Sequence, residues 1–383
     1  MRRAAPPWAT SLIDLATWMG PQLRVAVNAR LLDSSSPPLA RLTAAHLLNL
    51  LAGAEGLRLD LVAGEMLPET LTGGLDVRVF PARAGGLGAA LQDQIRFPRI
   101  ARRLEADLLL YLHGAAPLAG SRPCAAWYGD GDAGNAAGGV AGRIARSLAL
   151  AGLRGASIVL VPDDLPPGGK GIPWQPVSPI VPMAVVPTGG SAEVSGLPDG
   201  FVLAAGESAR TLALLLAAWT WVESSTGDSF PLLVLASDEA SRQSAQCAIE
   251  RSDLSSSARA ITLSDIAWPT ALRRASLLLH GGRRENAAAL RWAMAAHVPV
   301  VAAASPVSAS ILGPAGYLAQ PAARALGAAC LSVLVDDALA EELRSKGADR
   351  ARGYLTSKPG VLEEILRRVA RAPSRRSPSV LPD

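Results

Sequence analysis

Short runs of apolar residues alternate along the chain with segments of helical spacing. The run Leu23–Asn28 predicts a buried strand, and the leucines of Ala40–Ala52 recur at helical spacing. Runs that are apolar throughout are typical of a parallel sheet covered by helices on both faces. Further strands are predicted at Leu57–Val62, Leu75–Phe80, Asp107–Leu112, Cys124–Tyr128, Ser157–Val161, Phe201–Ala205, Pro231–Ala236, Ala258–Leu263, Ser276–His280 and Pro299–Ala303. Further helices are predicted at Leu91–Leu104, Arg143–Leu153, Thr211–Glu223, Ser237–Glu250, Glu285–Ala296 and most of Ala323–Ala370.

A segment rich in proline and glycine interrupts this alternation between Asp163 and Pro187. It predicts a loop that leads to a domain boundary near residue 190. We expect an extension over residues 1–21, one domain over 22–190, a second over 191–357, and a C-terminal helix with a disordered tail over 358–383. Each domain is predicted to be a doubly wound, Rossmann-like α/β unit. Because such sheets bind ligands at the carboxyl ends of their strands, the cleft between the domains is the expected site.

Composition narrows the class of protein. The 383 residues are 49% hydrophobic and 18% charged, which excludes general disorder. The net charge is +4, and no basic block is interleaved with aromatic residues, so a nucleic-acid partner is not expected. The three cysteines have neither metal-ligand spacing nor an even count, so we expect no zinc site and no disulfide framework. This cysteine usage is typical of a reduced, cytoplasmic compartment.

No segment predicts a membrane span. The uncharged stretch between His297 and Arg324 contains four prolines, and the apolar run Thr211–Val222 is too short to cross a bilayer. The N-terminus lacks the apolar core of a signal peptide. We expect a cytoplasmic protein, with peripheral contact at the inner face of the membrane as one option for Trp8, Trp18 and Trp174; packing is the other.

Five segments resemble one family of enzymes. In chain order they are Arg24–Arg30 (RVAVNAR), Leu91–Leu118 (LQDQIRFPRIARRLEADLLLYLHGAAPL), Gly200–Leu214 (GFVLAAGESARTLAL), Leu278–Ala302 (LLHGGRRENAAALRWAMAAHVPVVA) and Leu339–Tyr354 (LAEELRSKGADRARGY). In this order and spacing they are similar to segments of the family-4 (group 1) glycosyltransferases, which have the GT-B fold. Each match is loose alone, and together they extend from residue 24 to about residue 355.

The resemblance implies two Rossmann-like domains that face a cleft, with a nucleotide-sugar donor on the second domain and a glycan or lipid acceptor on the first. It implies sugar transfer with retention of configuration. No cofactor is expected, and no metal is required where arginine neutralises the diphosphate. The donor-binding positions that it implies are Gly206, Arg210, His280, Gly281, Gly282, Arg284 and Glu285. The catalytic candidates are His113, Asp130 and Glu285, and the acceptor-side candidates are Arg41 and His113.

The chain departs from the family at its most specific signature, two glutamates separated by seven residues. Ungapped matching places Arg284 at the first position and Trp292 at the second, so both carboxylates are lost. Glu285 comes one residue late, which is a rotation of about 100° on a helix. Glu285 can replace the first lost glutamate only if the turn His280-Gly281-Gly282 changes the direction of its side chain.

Two loops also differ from the family pattern. The glycines expected after the first strand are replaced by Ser34-Ser35-Ser36-Pro37-Pro38, and proline supplies no N–H donor. The family's His-Asp turn becomes Gly129-Asp130, so only its carboxylate remains. Asp130 and Asp132 together could hold a cation, but a Gly-Asp turn is the favoured interpretation. Arg210 keeps the charge of a basic residue that contacts donor phosphates in the family.

Each candidate also has a purely structural explanation. Glu285 suits the first turn of a helix, Trp292 suits packing, Arg284 and Arg210 suit a solvated surface, and His113 suits a hydrogen-bonded strand end. Three functions therefore stay open: an active retaining glycosyltransferase, a catalytically inactive GT-B protein that binds a partner, and a sensor of nucleotide sugars.

Overall fold

The computed structural model describes residues 22–34, 36, 38–80, 92–113, 116–118, 122–129, 139–165, 170–181, 196–205, 208–236, 238–262, 267–282, 287–355 and 359–372. Within them lie two sheets, of seven and six strands, and every strand pair is parallel. The predicted α/β class, with two parallel sheets flanked by helices, is confirmed.

The first sheet has the strand order β3-β2-β1-β4-β5-β6-β7. Its strands are β1 (Leu23–Asn28), β2 (Leu57–Ala63), β3 (Val77–Val79), β4 (Leu108–Tyr111), β5 (Cys124–Trp127), β6 (Ile158–Pro162) and β7 (Trp174–Val177). The helices among them are α1 (Pro38–Ala52), α2 (Glu69–Thr72), α3 (Phe97–Arg103) and α4 (Gly139–Gly155), and a π-helical turn, Gln92–Arg96, precedes α3. The order reverses between β1 and β4, which opens a crevice at their carboxyl ends.

The second sheet has the strand order β10-β9-β8-β11-β12-β13. Its strands are β8 (Val202–Ala205), β9 (Leu232–Ala236), β10 (Ala258–Thr262), β11 (Leu277–His280), β12 (Val300–Ala303) and β13 (Tyr317–Ala319). The helices are α5 (Ala209–Thr226), α6 (Glu239–Arg251), α7 (Ala267–Arg274), α8 (Ala287–Ala295), α9 (Pro306–Leu312), α10 (Ala323–Val335), α11 (Asp337–Leu355) and α12 (Pro359–Arg371). The crevice here lies between β8 and β11.

The structure corrects the prediction for the segment that begins at Asp163. The segment from Asp163 onward was expected to be a loop, yet it contains β7, whose register pairs Val161 of β6 with Pro176. Proline is tolerated because β7 is an edge strand, where one row of backbone groups needs no partner in the sheet. Trp174 in this strand packs against Tyr128, with ring centroids 5.2 Å apart. The short elements α2, α7, α9 and β13 were also not predicted.

Helix caps follow the sequence signals. Asp238 caps α6 by accepting a hydrogen bond of 2.7 Å from the Ser241 N–H, as expected of an aspartate before a helix. Ser208 caps α5 by accepting from the Thr211 N–H at 3.2 Å. These side chains satisfy amides that the first helical turn leaves without backbone acceptors.

Helix α8 lies at the centre of the molecule, since all nine of its residues are buried. It contacts α1, so the helices that follow β11 and β1 pack directly on each other. The core around α8 is shared: it includes Leu39 and Tyr111 from the first sheet and its helices, and Leu203 and Trp292 from the second. The two sheets with their helices therefore meet across an apolar contact.

A buried ion pair crosses this contact. Arg291 on α8 donates from Nε and Nη2 to Asp164, which follows β6, at 2.7 and 2.5 Å. Both side chains are almost fully buried. The two-point geometry suits a guanidinium and a carboxylate, and it fixes orientation as well as distance. Arg291 and Asp164 are thus a specific connection between parts of the chain 127 residues apart.

The C-terminal helix returns to the first sheet. Helix α12 contacts α1, β4 and β5, and its apolar side chains belong to the core beneath the first sheet. Arg367 donates to the Gly56 carbonyl at 2.7 Å and pairs with Glu363 on the same helix. The first core therefore includes residues from the far end of the described chain.

Among the described helices, none is long and apolar enough to cross a membrane.

Breaking the Arg291–Asp164 pair should destabilise the protein strongly. In Arg291→Met the apolar stem is retained, but Asp164 is left buried without its guanidinium. We expect a loss of about 3–5 kcal/mol in the free energy of unfolding, measured by urea denaturation. Glu239→Gln breaks an exposed pair with Arg242 and serves as the control, with little or no change expected. Equal stability of the Arg291 variant and the parent would contradict a structural role for the pair.

Candidate functional site

Polar side chains converge at the carboxyl edge of the first sheet. Asn28 ends β1, Tyr111 ends β4, and His113 lies two residues beyond β4. Asp93, from the π-helical turn, is buried among them. It accepts hydrogen bonds from Asn28 Nδ2 and Arg30 Nη1, both at 3.0 Å. The Tyr111 hydroxyl donates to the Asp93 backbone carbonyl at 3.2 Å.

His113 belongs to this cluster as its ionisable ring. Its Nε2 lies 3.5 Å from Asp93 Oδ2. Burial lowers the pKa of His113, and the positive charge of Arg30 lowers it further. The Asp93 carboxylate raises this pKa but does not cancel the effect of burial. The ring is therefore neutral at neutral pH, with one nitrogen able to donate and the other able to accept a proton. The predicted catalytic candidate thus lies in a built polar cluster beside the crevice.

Arg41, the other acceptor-side candidate, has a local structural role. Its guanidinium donates to the backbone carbonyls of Asp33 and Ser34, at 3.4 and 3.0 Å. In this way it fixes the turn between β1 and α1. Asp33 and Glu65 tie the same turn to the end of β2: Asp33 accepts from the Gly64 N–H at 3.1 Å, and Glu65 accepts from the N–H and hydroxyl of Ser34.

At the carboxyl edge of the second sheet, His280 ends β11 and is buried. Its Nδ1 accepts a hydrogen bond of 2.9 Å from the Gly282 N–H, which places the proton of the neutral ring on Nε2. His280 therefore orients the turn that follows it.

The two glycines of this turn make close contacts. A methyl group on Gly281 would lie 2.1 Å from the Thr211 methyl carbon in the first turn of α5. Gly282 has a φ of +73°, and a methyl group there would lie 2.1 Å from the Ala303 carbonyl oxygen. The Gly282 carbonyl in turn accepts from the Ser305 hydroxyl at the start of α9. Three chain segments therefore meet at this turn: the start of α5, the end of β12 and the start of α9.

Arg210 is exposed in the first turn of α5, next to Thr211, which contacts Gly281. The turn carries no acidic residue. An exposed guanidinium, the amino end of an eighteen-residue helix and a glycine turn therefore lie at one edge of the second sheet. This is an arrangement that suits an anion such as a phosphate.

Trp292 is a core residue. It is fully buried on α8 and packs edge to face on Trp268 of α7, with ring centroids 6.3 Å apart. At the position matched to the second glutamate of the resembled family, this chain therefore has a buried aromatic ring and no carboxylate. Four other candidates, Asp130, Gly206, Arg284 and Glu285, lie outside the described residues.

Asp93 and Arg30 were not predicted from the sequence. Both lie within family-like segments, Arg30 in Arg24–Arg30 and Asp93 in Leu91–Leu118. Asn28 lies in the segment Arg24–Arg30 as well and was not predicted as a site residue. These residues come together because the strand order reverses between β1 and β4. The order of strands in a sheet cannot be predicted from local sequence patterns.

No protein-family model matches the sequence, and no curated protein matches it either. Solved structures do match. Sucrose-phosphate synthase from Thermosynechococcus elongatus superposes with a TM-score of 0.65 and 15% identity, covering 91% of this chain and 99% of that one. WaaG, a glycosyltransferase involved in lipopolysaccharide biosynthesis, gives 0.65 and 12% over 90% and 99%. Anabaena Alr3699/HepE, solved with UDP and glucose, gives 0.61 and 14% over 90% and 99%.

The chain has the GT-B fold. At these identities the likeness shows the architecture alone, because one fold hosts many functions. Structures of UDP-N-acetylglucosamine 2-epimerases also share it. The choice of reaction must therefore come from the side chains at the two facing edges.

Gly282→Ala should disrupt the turn after β11. An added methyl group meets the Ala303 carbonyl oxygen, and alanine does not readily adopt a φ of +73°. We expect a loss of more than about 1 kcal/mol in unfolding free energy, measured by urea denaturation. Gly353→Ala on α11 is the matched control, since among the other described residues the added methyl meets nothing within 4 Å beyond its own stretch of helix, and helical alanine is favoured. A Gly282 variant as stable as the control would exclude the tight contact.

Asp33 should make stability depend on pH. Burial raises its pKa to about 6, against the opposing hydrogen bond from Gly64 and the charge of Arg30. Because the folded pKa exceeds the unfolded one, the stabilisation is complete below about pH 4 and is lost as pH rises through 6. Asp33→Asn should therefore gain about 1–2 kcal/mol over the parent at pH 8, after allowance for partial exposure, and less at pH 5.

Urea denaturation at the two pH values measures the difference between Asp33→Asn and the parent, with the exposed Asp76→Asn as control. A gain of the Asp33 variant that is the same at pH 5 and pH 8 would contradict the raised pKa.

Proposed function

We propose that this protein transfers a sugar from a nucleoside diphosphate sugar to a hydroxyl of a glycan or lipid acceptor, with retention of configuration. The observation that carries the proposal is the edge of the second sheet, where Thr211 contacts the glycine turn after His280 and exposed Arg210 precedes Thr211 in the first turn of α5. The family resemblance and the GT-B fold support the same assignment. Open parallel α/β sheets bind ligands at the carboxyl ends of their strands, where these side chains lie.

The diphosphate end of the donor would lie against the first turn of α5. Departure of the diphosphate carries most of the barrier in such a transfer, because negative charge develops on the leaving oxygen. The Arg210 guanidinium can donate two parallel hydrogen bonds to phosphate oxygens, and the amino end of α5 adds partial positive charge. The guanidinium and the helix end would thus supply the positive charge that a metal ion would otherwise supply at the diphosphate.

The acceptor hydroxyl would lie at the edge of the first sheet, near His113. In the transfer, the bond between the anomeric carbon and the diphosphate oxygen breaks, and its electron pair leaves with the diphosphate. The bond between that carbon and the acceptor oxygen forms. The neutral ring of His113 is suited to accept the hydroxyl proton.

One observation favours a second candidate function, a GT-B protein that binds a nucleotide sugar or a protein partner without transfer. Trp292 is buried where the family has a glutamate that holds donor hydroxyls. The two candidates differ in turnover: a transferase releases nucleoside diphosphate when a suitable acceptor is present, whereas a binding protein does not. Both candidates predict nucleotide binding if the Arg210 edge is the donor site.

Arg210→Ala should weaken binding of the preferred nucleoside diphosphate by about 10- to 100-fold, because charge-assisted hydrogen bonds contribute roughly 1.5–3 kcal/mol. Calorimetric titration with UDP, GDP and ADP identifies the nucleotide and measures the change. Arg210 is exposed, so its truncation should not alter unfolding.

Arg251→Ala is the matched control, since Arg251 is an exposed arginine at the opposite, carboxyl end of a second-sheet helix. Unchanged affinity in Arg210→Ala would refute the donor-site assignment, and no binding of any nucleotide by the parent protein would refute the proposed function.

A further inference from the structure

Asp93 has more polar partners than any role in packing requires. One carboxylate oxygen accepts from Asn28 and from Arg30, and the other faces the His113 ring at 3.5 Å. Three chain segments thus converge on one carboxylate: the end of β1, the π-helical turn and the segment after β4. A buried carboxylate with this set of partners fixes their relative positions.

The backbone that carries Asp93 is itself unusual. The turn Gln92–Arg96 is π-helical, and it continues directly into α3. π-helical turns are rare and are found frequently at functional sites, because the wider turn re-aims one side chain. The next residue, Gln94, anchors the turn to the loop after β4: its side chain donates to the Ala116 carbonyl at 2.9 Å and accepts from the Leu118 N–H at 2.6 Å.

The charges of the cluster balance. Asp93 is negative, Arg30 is positive, Asn28 is neutral, and burial keeps His113 neutral at neutral pH. The side chains that face His113 are Asp93 from the π-helical turn, Arg30 from the turn after β1, and Tyr111 from β4, whose ring meets the imidazole edge to face at 6.1 Å. An electrically balanced cluster favours a neutral hydroxyl over an anionic group as its ligand.

We propose that Asp93 is a positioning residue that orients the His113 ring towards a neutral hydroxyl group of the acceptor. The Asp93 carboxylate faces Nε2 of the ring at 3.5 Å, and the hydrogen bonds from Asn28 and Arg30 hold the carboxylate in that place. The part of this inference that concerns the acceptor rests on the proposed function; the part that concerns the ring does not.

The experiment is a pH titration of the full chain labelled with ¹⁵N-histidine, followed by NMR. The chain has four histidines, and His113→Gln assigns the resonances of interest. In Asp93→Asn the pKa of His113 should fall, since an attractive negative charge is lost and Arg30 remains. The ring ¹⁵N shifts should also move, because a neutral amide replaces the carboxylate that faces Nε2.

Asp60→Asn is the matched control. Asp60 is likewise a buried aspartate of the first sheet that pairs with an arginine, Arg24, at 2.8 Å. Its removal should leave the His113 resonances where they are in the parent protein. If Asp93 only fills space, Asp93→Asn should leave the His113 resonances unchanged as well. That result would overturn the proposal.

Arg30→Gln is a second variant with the opposite expected sign. Arg30 is partly exposed, so the substitution is tolerable even if Asp93→Asn does not fold. Loss of its positive charge should raise the pKa of His113. A fall, or no change, would contradict the cluster as described.

Nucleotide binding separates this inference from the proposed function. Asp93→Asn should bind the nucleoside diphosphate as tightly as the parent, since the altered cluster lies on the acceptor side, and it should lower kcat for transfer while leaving KM for the donor unchanged. Failure of the parent to bind any nucleotide would remove the proposed function but leave the NMR test of Asp93 intact. A normal kcat for Asp93→Asn, with the pKa of its His113 lowered, would overturn the acceptor part of the inference.

Discussion

The pairing of Arg291 with Asp164 is the interaction on which the arrangement of the two sheets depends. An isolated charge inside the apolar contact around α8 would be strongly destabilising, so each partner requires the other. The guanidinium fork accepts a carboxylate in few orientations, which makes the pair a constraint on orientation and not merely an attraction. Apolar packing supplies the larger share of the contact but specifies less, because small shifts among alanines and leucines cost little.

This constraint has consequences for the site. Helix α8 follows the His280–Gly282 turn, so the ion pair holds the element behind the candidate donor edge against the first sheet. The polar cluster around Asp93 lies at the other edge, at the carboxyl ends of β1 and β4. A fixed orientation of the two edges is what a transfer between two bound substrates requires, since reacting atoms must be held close together and aligned.

Much of the fold could be predicted from the sequence, because continuous apolar strands and leucine-spaced helices are strong local signals. β1 and α6 with its Asp238 cap show this. β7 could not be predicted, because Pro173 and Pro176 argue against a strand unless its edge position is known. His297 shows a further limit: it adopts a φ of +59°, a backbone conformation that favours glycine and that the residue type does not predict.

The site was predictable only in part, for physical reasons. His113, Arg210 and the Gly281-Gly282 turn are candidates that the family resemblance implied, and the structure places them at strand ends or helix starts, where parallel sheets bind ligands. Arg41 looked similar in sequence, yet its guanidinium is occupied by two backbone carbonyls. Asp93 precedes a helix in an irregular turn, and its importance comes from partners 63 and 65 residues away, Arg30 and Asn28.

The most direct test of the account is turnover itself. The full chain would be incubated with UDP-, GDP- and ADP-linked sugars and a panel of glycan and lipid acceptors, and both nucleoside diphosphate release and the anomeric configuration of the product would be followed. The account predicts release from one donor class, dependent on the acceptor, with a product that keeps the anomeric configuration of the donor. No release from any donor by folded protein, or a product of inverted configuration, would contradict it.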